Sequence, residues 1–359
     1  MLTGLFLGVV AAAGASLIAC RLLIAAGLVD VPNAARKAHR QPTPTSGGLG
    51  IAIGFAIGVA LVVLNFPPEW RRMAGADALI RAAVATAFAC AFMALGFLDD
   101  ARPMGPRMKF AIFSLLGIGS TLAVGVVQSL PLGGGVVLEF GWPLGVIGSA
   151  LFVFTLVNAV NFMDGCNGLA MGSVAFGMCA LGAVAMAHGA PAAAIMAACG
   201  AGALFGFLAW NFPNGLLFAG DSGALFAGAL GALVSLLMLR EGAVSPFIPP
   251  IIFFPILADV LLTLAWRVKK RRRILNGHAE HLYQIGMRSG LRHSQVSLIY
   301  WAACAVCGLI AYAASIMDAS GHGLGDYAPP LALALLSVIS IGISMSVRRF
   351  ASARNMGEV

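Results

Sequence analysis

The stretch 141-GWPLGVIGSALFVFTLVNAVNFMDGCNGLA-170 decides how the chain is read. Its first part carries no charge, and positions 143–163 match the run of about 20 apolar residues that a helix needs to cross a hydrocarbon core. It then ends in Asn158, Asn161, Asp164 and Asn167, set among small and apolar residues. A span that finishes in amides and a carboxylate places chemistry at one edge of the membrane.

The rest of the chain repeats the pattern. Of its 359 residues, 60% are apolar and 10% are charged, which is too little polar surface for a soluble domain of this size. Eleven candidate spans lie near 2–25, 46–66, 78–98, 108–128, 143–163, 168–188, 190–211, 222–240, 243–267, 295–317 and 329–347. The expectation is an all-α polytopic membrane protein of about 10–11 transmembrane helices. It would form one integral membrane domain over 1–359, with a basic loop at 268–294 that carries the motif "HAEH". The first run has no basic leader and no evident cleavage site, so it reads as a retained span. Seven cysteines sit almost entirely within apolar runs and give no disulfide framework; Cys304 and Cys307 form a C-x-x-C that reads as helix packing.

Lys and Arg set the expected orientation, because loops on the cytoplasmic side carry their excess. With the N-terminus outside (periplasmic), one side collects Arg36, Lys37, Arg40, Arg102, Arg107, Lys109, Arg267, Lys269, Lys270, Arg271, Arg272, Arg273, Arg288, Arg292, Arg348, Arg349 and Arg354. The net charge of +8 is thus one-sided, suited to anionic lipid headgroups or an anionic substrate, and no nucleic-acid partner is expected. The opposite loops are short, and the Gly/Val pattern of "PLGGGVVLEFGWP" suggests a small hairpin.

Every unusual polar cluster then falls on the basic side: "RKAHRQPTPTSGG", "GFLDDARPMG", the end of the opening stretch, "NFPNGLLFAGDSGA" and "GHAEHLYQ". Five polar motifs on one face imply a shared site. Asp99, Asp100 and Asp164 come at helix C-termini, where the macrodipole disfavours carboxylates unless a cation compensates. A metal would do so, and hard oxygen ligands favour Mg²⁺ or Mn²⁺ over Zn²⁺; pairing with Arg102 or Arg107 at headgroup level is the other reading. Asp221 in "GDSGA" suits either a helix N-cap or a phosphate-facing site. His278 and His281, three apart beside "KKRRR", fit phosphate binding or an ordinary polar loop. Asp259, inside the ninth span, is a functional candidate by its cost alone, or a buried partner for a helix amide or for Arg21.

Taken together and in this order, "RKAHRQPTPTSGG", "GFLDD", "NAVNFMDGCNGLA", "NFPNGLLFAGDSG" and "HAEHLYQ" resemble the polyprenyl-phosphate N-acetylhexosamine-1-phosphate transferase superfamily. The resemblance spreads over residues 36–284. It implies a Mg²⁺-dependent enzyme of the bacterial inner membrane, with Mn²⁺ as the other candidate metal. The reaction would move a HexNAc 1-phosphate from a UDP-sugar to undecaprenyl phosphate and release UMP, to begin a surface polysaccharide such as O-antigen or capsule. By the same resemblance Asp221 is the principal metal ligand, with Asn161 as helper and Asp100 and Asp164 near the diphosphate. Asp99 is the candidate base or orienting group. Asn167 and Phe218 match positions that contact uracil, as an amide pairing with its imide edge and a stacking ring. Lys37 and His39, with Asn211, His278 and His281, would bind nucleotide phosphates or sugar.

Within that superfamily "HAEHLYQ" is closer to the branch acting on UDP-GlcNAc-type donors than to the pentapeptide branch, which carries a contiguous histidine triplet. Ala279 departs from the arginine often found in the first branch. The competing readings are transfer of a phospho-MurNAc-pentapeptide, or a transporter or flippase for anionic lipids or nucleotides. A transporter would place its polar groups near the bilayer midplane, where only Asp259 lies. A homodimer is one assembly the sequence allows.

Overall fold

A computed structural model describes residues 2–27, 29–30, 43–65, 68–273 and 279–354. Helix α1 (Leu2–Ala25) is followed by a two-residue antiparallel ladder, β1 (Val29–Asp30) with β2 (Thr43–Pro44), and then by α2 (Gly47–Leu64). Next come α3 (Pro68–Ala101), which bends at Gly75, and α4 (Pro106–Val124). Strands β3 (Ser129–Gly133) and β4 (Val136–Glu139) form the hairpin expected from the Gly/Val pattern, with Gly134 and Gly135 turning at positive φ. The bundle continues with α5 (Gly141–Met163), α6 (Leu169–Ala187), α7 (Pro191–Asn211) and α8 (Gly220–Glu241). It closes with α9 (Ile248–Ile252), α10 (Phe254–Lys269), α11 (Leu282–Arg288), α12 (His293–Ser320) and α13 (Ala328–Ala353).

Among the described residues, ten helices are long and apolar enough to cross a membrane, and they correspond to ten of the eleven expected spans. The chain is an all-α multi-pass membrane protein. The ninth expected span, 243–267, is instead broken at Phe253 into α9 and α10. Pro255 explains the break: it has no N–H for the carbonyl of Ile251, and its ring crowds that carbonyl. The basic loop after α10 also contains a helix of its own, α11.

Helix α8 is the axis of the bundle, buried along nearly its whole length, while α13 shows lipid-compatible residues such as Leu335 and Val338 on its surface. Glycines let other helices close on the start of α8. A Cβ on Gly48 of α2 would lie 2.5 Å from the nitrogen of Gly223, and one on Gly96 of α3 would lie 2.4 Å from the Cα of Ser222. Small residues at crossings are how apolar helices approach closely where no water drives them together. These contacts put the "GFLDD" end of α3 directly on the "GDSGA" start of α8.

Candidate active site

Five chain segments meet at that point: the ends of α3 and α5, the starts of α4 and α8, and the loop before α2. Gly220 opens α8 at φ +69°, and a Cβ there would sit 2.8 Å from the carbonyl oxygen of Thr45 and 3.0 Å from Oδ2 of Asp100. Only glycine suits that position. Asp100 faces the backbone N–H groups of Asp221 and Ser222, so the positive end of the α8 dipole meets this carboxylate.

Asp99 accepts the N–H of Met104 at 2.7 Å and pairs with Lys109 of α4. The same Lys109 Nζ stands 3.6 Å from Asp221. Asn161, one turn before the end of α5, donates its amide to Oδ1 of Asp221 at 3.1 Å. Asp164 caps α5, half-buried; that burial, and the charges of Asp221 and Asp100, push its carboxyl well above the usual carboxylate range. Among the described residues four acids and one lysine thus share a small volume, and the crowding that raises Asp164 is what a bound cation would relieve.

Among the described residues, no three His, Cys, Asp or Glu side chains stand close enough to hold a metal ion unaided. The available set is oxygen-rich: the carboxylates of Asp221 and Asp100 and the amide oxygen of Asn161, left over while its nitrogen faces Asp221. That composition fits a hard divalent cation completed by water and substrate phosphates.

The remaining predicted residues line the adjoining loops in different ways. Asn167 donates its amide to the carbonyl of Pro213 at 2.9 Å and lies over Gly215, itself at φ +64°. Asn211 is buried, with its oxygen on the N–H of Gly168 at 2.5 Å and its nitrogen on the carbonyl of Leu217 at 2.8 Å. It therefore clamps two loops together, and both of its polar ends are engaged by backbone. Phe218 is half-buried, and its carbonyl receives the N–H of Gly47. His281 is 3% exposed, beneath Phe162, with Nδ1 3.4 Å from Asp259. Lys37, His39 and His278 lie outside the described residues.

Three features went unread in the sequence. Lys109 figured there only as an orientation charge, although its place in the first turn of the helix after "GFLDD" is a usable signal. Glu280 is buried between Arg267, at 2.5 Å, and Arg272, at 2.9 Å. Asp259 pairs with the "HLY" segment and not with Arg21, which stacks on Trp210.

Residues 82–239 match the profile of glycosyl transferase family 4, a window that contains every described acid of the cluster. The chain is similar to the decaprenyl-phosphate N-acetylglucosaminephosphotransferase of Mycolicibacterium smegmatis. They are 30% identical over 321 residues, 82% of this chain and 76% of that protein. It is 28% identical over 291 residues (78% of this chain, 75% of the relative) to the probable undecaprenyl-phosphate N-acetylglucosaminyl 1-phosphate transferase of Bacillus subtilis. A phospho-N-acetylmuramoyl-pentapeptide-transferase of Symbiobacterium thermophilum is also 28% identical, over 298 residues that make up 79% of this chain and 85% of the relative.

Proposed function

Since the chain belongs to glycosyl transferase family 4, we propose that it transfers a HexNAc 1-phosphate from a UDP-sugar to undecaprenyl phosphate in the bacterial inner membrane. The products are UMP and a lipid-linked diphosphate sugar that begins a surface polysaccharide. The observation that carries this reading is the meeting of Asp99, Asp100, Asp164, Asn161 and Asp221 with Lys109 at one end of an apolar bundle. A lipid phosphate can reach such a site from the membrane and a nucleotide sugar can reach it from water.

Joining two phosphates requires that their repulsion be offset. Lys109 supplies one fixed positive charge between Asp99 and Asp221, where an incoming lipid phosphate can exchange for the Asp99 carboxylate. Asp221, Asn161 and Asp100 would hold Mg²⁺ or Mn²⁺, which neutralises diphosphate charge and stabilises the departing UMP. Asp99, displaced from Lys109, is the group that would take the last proton of a monoanionic lipid phosphate, although a second pKa near 6 leaves that phosphate largely dianionic and ready to attack without a strong base. Asn167, held by Pro213 at one amide hydrogen, keeps its carbonyl and second hydrogen for the imide edge of uracil. Asn211 and His281 contribute by fixing the loops on which these groups stand.

A MurNAc-pentapeptide donor is the second reading, favoured by relatives of that name at comparable identity. Incubating the purified protein with undecaprenyl phosphate, a divalent cation and a panel of UDP-sugars, including UDP-MurNAc-pentapeptide, tests both. UMP release from a UDP-HexNAc supports the first; release from the pentapeptide donor alone supports the second. No release above a boiled control from any donor overturns the transferase reading.

A further inference from the structure

Asp259 lies within the apolar bundle, 2% exposed, and takes no part in the acidic cluster. Its carboxylate is nonetheless crowded with donors. Oδ1 accepts the N–H of Leu282 at 2.9 Å and the hydroxyl of Thr263 at 3.2 Å, while Oδ2 accepts the hydroxyl of Tyr300 at 2.6 Å and the N–H of Tyr283 at 3.3 Å. Nδ1 of His281 stands 3.4 Å from Oδ1. Arg348 of α13 donates to Thr263 at 2.9 Å, bracing the same point from the last helix. A buried carboxylate with this many partners holds whatever brings them, because releasing any one leaves an unsatisfied polar group.

What it holds continues toward the site. Tyr283, fixed through its N–H by Asp259, sends its hydroxyl to the carbonyl of Phe162 at 3.1 Å, and its oxygen lies 2.4 Å from where a Cβ on Gly165 would be. Phe162 stands between Asn161 and Asp164. We infer that Asp259 is a positioning residue for the transfer reaction: through Tyr283 it sets the end of α5, and with it the placement of Asn161 and Asp164 against Asp221. The glycine at 165 is what lets the tyrosine reach that carbonyl. The inference rests on the transferase reading for its functional half, whereas the clamp itself is independent of any substrate.

Two measurements separate these halves. In amide hydrogen exchange on the full-length protein in detergent, Asp259→Asn, which keeps the shape but offers one acceptor oxygen in place of two, should speed exchange of the 280–288 peptide about tenfold. Tyr300→Phe, which removes one donor and keeps the carboxylate, should give a smaller change in the same peptide. Unchanged exchange in Asp259→Asn overturns the clamp. In the UMP-release assay, Asp259→Asn and Tyr283→Phe should each lower kcat about tenfold, and the double variant should fall no lower than the weaker single, because they act along one path. Losses that multiply, or full activity in Asp259→Asn, overturn the positioning role. A wild-type protein that releases no UMP from any donor removes the transferase reading, and exchange then decides the clamp alone.

Discussion

Asn161 donates its side-chain amide to Asp221 across 3.1 Å, joining the end of α5 to the start of α8 by one hydrogen bond between two proposed metal-facing groups. Replacing Asn161 by Ala leaves Asp221 without that partner and removes an oxygen donor from the set. The expected result is a drop in kcat/KM of about tenfold to a hundredfold and a higher Mg²⁺ concentration for half-maximal rate. A metal titration of UMP release checks this; an unchanged titration curve would separate Asn161 from the cation.

Removing the cation should stop the reaction. With oxygen donors only, EDTA is expected to abolish UMP release, and Mg²⁺ or Mn²⁺ added in excess should restore it. Asp221→Asn should fail to recover at any Mg²⁺ concentration while its melting temperature in detergent stays within a few degrees of the parent. Full activity of the parent in EDTA would dismiss the metal.

Gly96 tests the packing that brings α3 and α8 together. A Cβ there would meet the Ser222 backbone at 2.4 Å, so the helices must separate. Gly96→Ala should cost about 1–3 kcal/mol by overpacking, visible as a lower melting temperature. It should also weaken transfer, because Asp99 and Asp100 follow Gly96 by one turn. A variant as stable and active as the parent would mean that α3 and α8 have room the close contact denies.

How far these relationships could be read beforehand depends on their range in sequence. The apolar runs announced eleven spans, ten of which are helices long enough to cross a membrane, because span length is a local property; Asp99, Asp100 and Asp164 announced themselves by standing where a helix dipole rejects them. The break at Phe253 was hidden by an apolar run that continues through Pro255 without a polar interruption. Apart from Thr263 one turn on, Asp259 offered no clue to its partners, which lie more than twenty residues away in α11 and α12. Glu280 drew no reading of its own within "HAEH", and only the fold reveals Arg267 and Arg272 on either side of it.

Lys109 is the case in which charge counting concealed a site residue. Its Nζ serves Asp99 and Asp221 together, so it bridges α3 and α8 from a third helix. Lys109→Met keeps the length of the side chain and removes its charge, taking away the one described basic side chain that pairs with Asp99 and Asp221. Anionic substrates would then meet a more negative site, and transition-state charge would lose a fixed partner; a loss of roughly a hundredfold in kcat/KM is expected. Lys109→Arg should recover part of it, since the charge returns with a different shape. Comparing the two variants separates charge from side-chain length, because both keep a long side chain and only one keeps the charge. If Met and Arg lower the rate equally, geometry and not charge is what Lys109 supplies; if Met leaves the rate unchanged, the lysine is only a surface counterion of the acids.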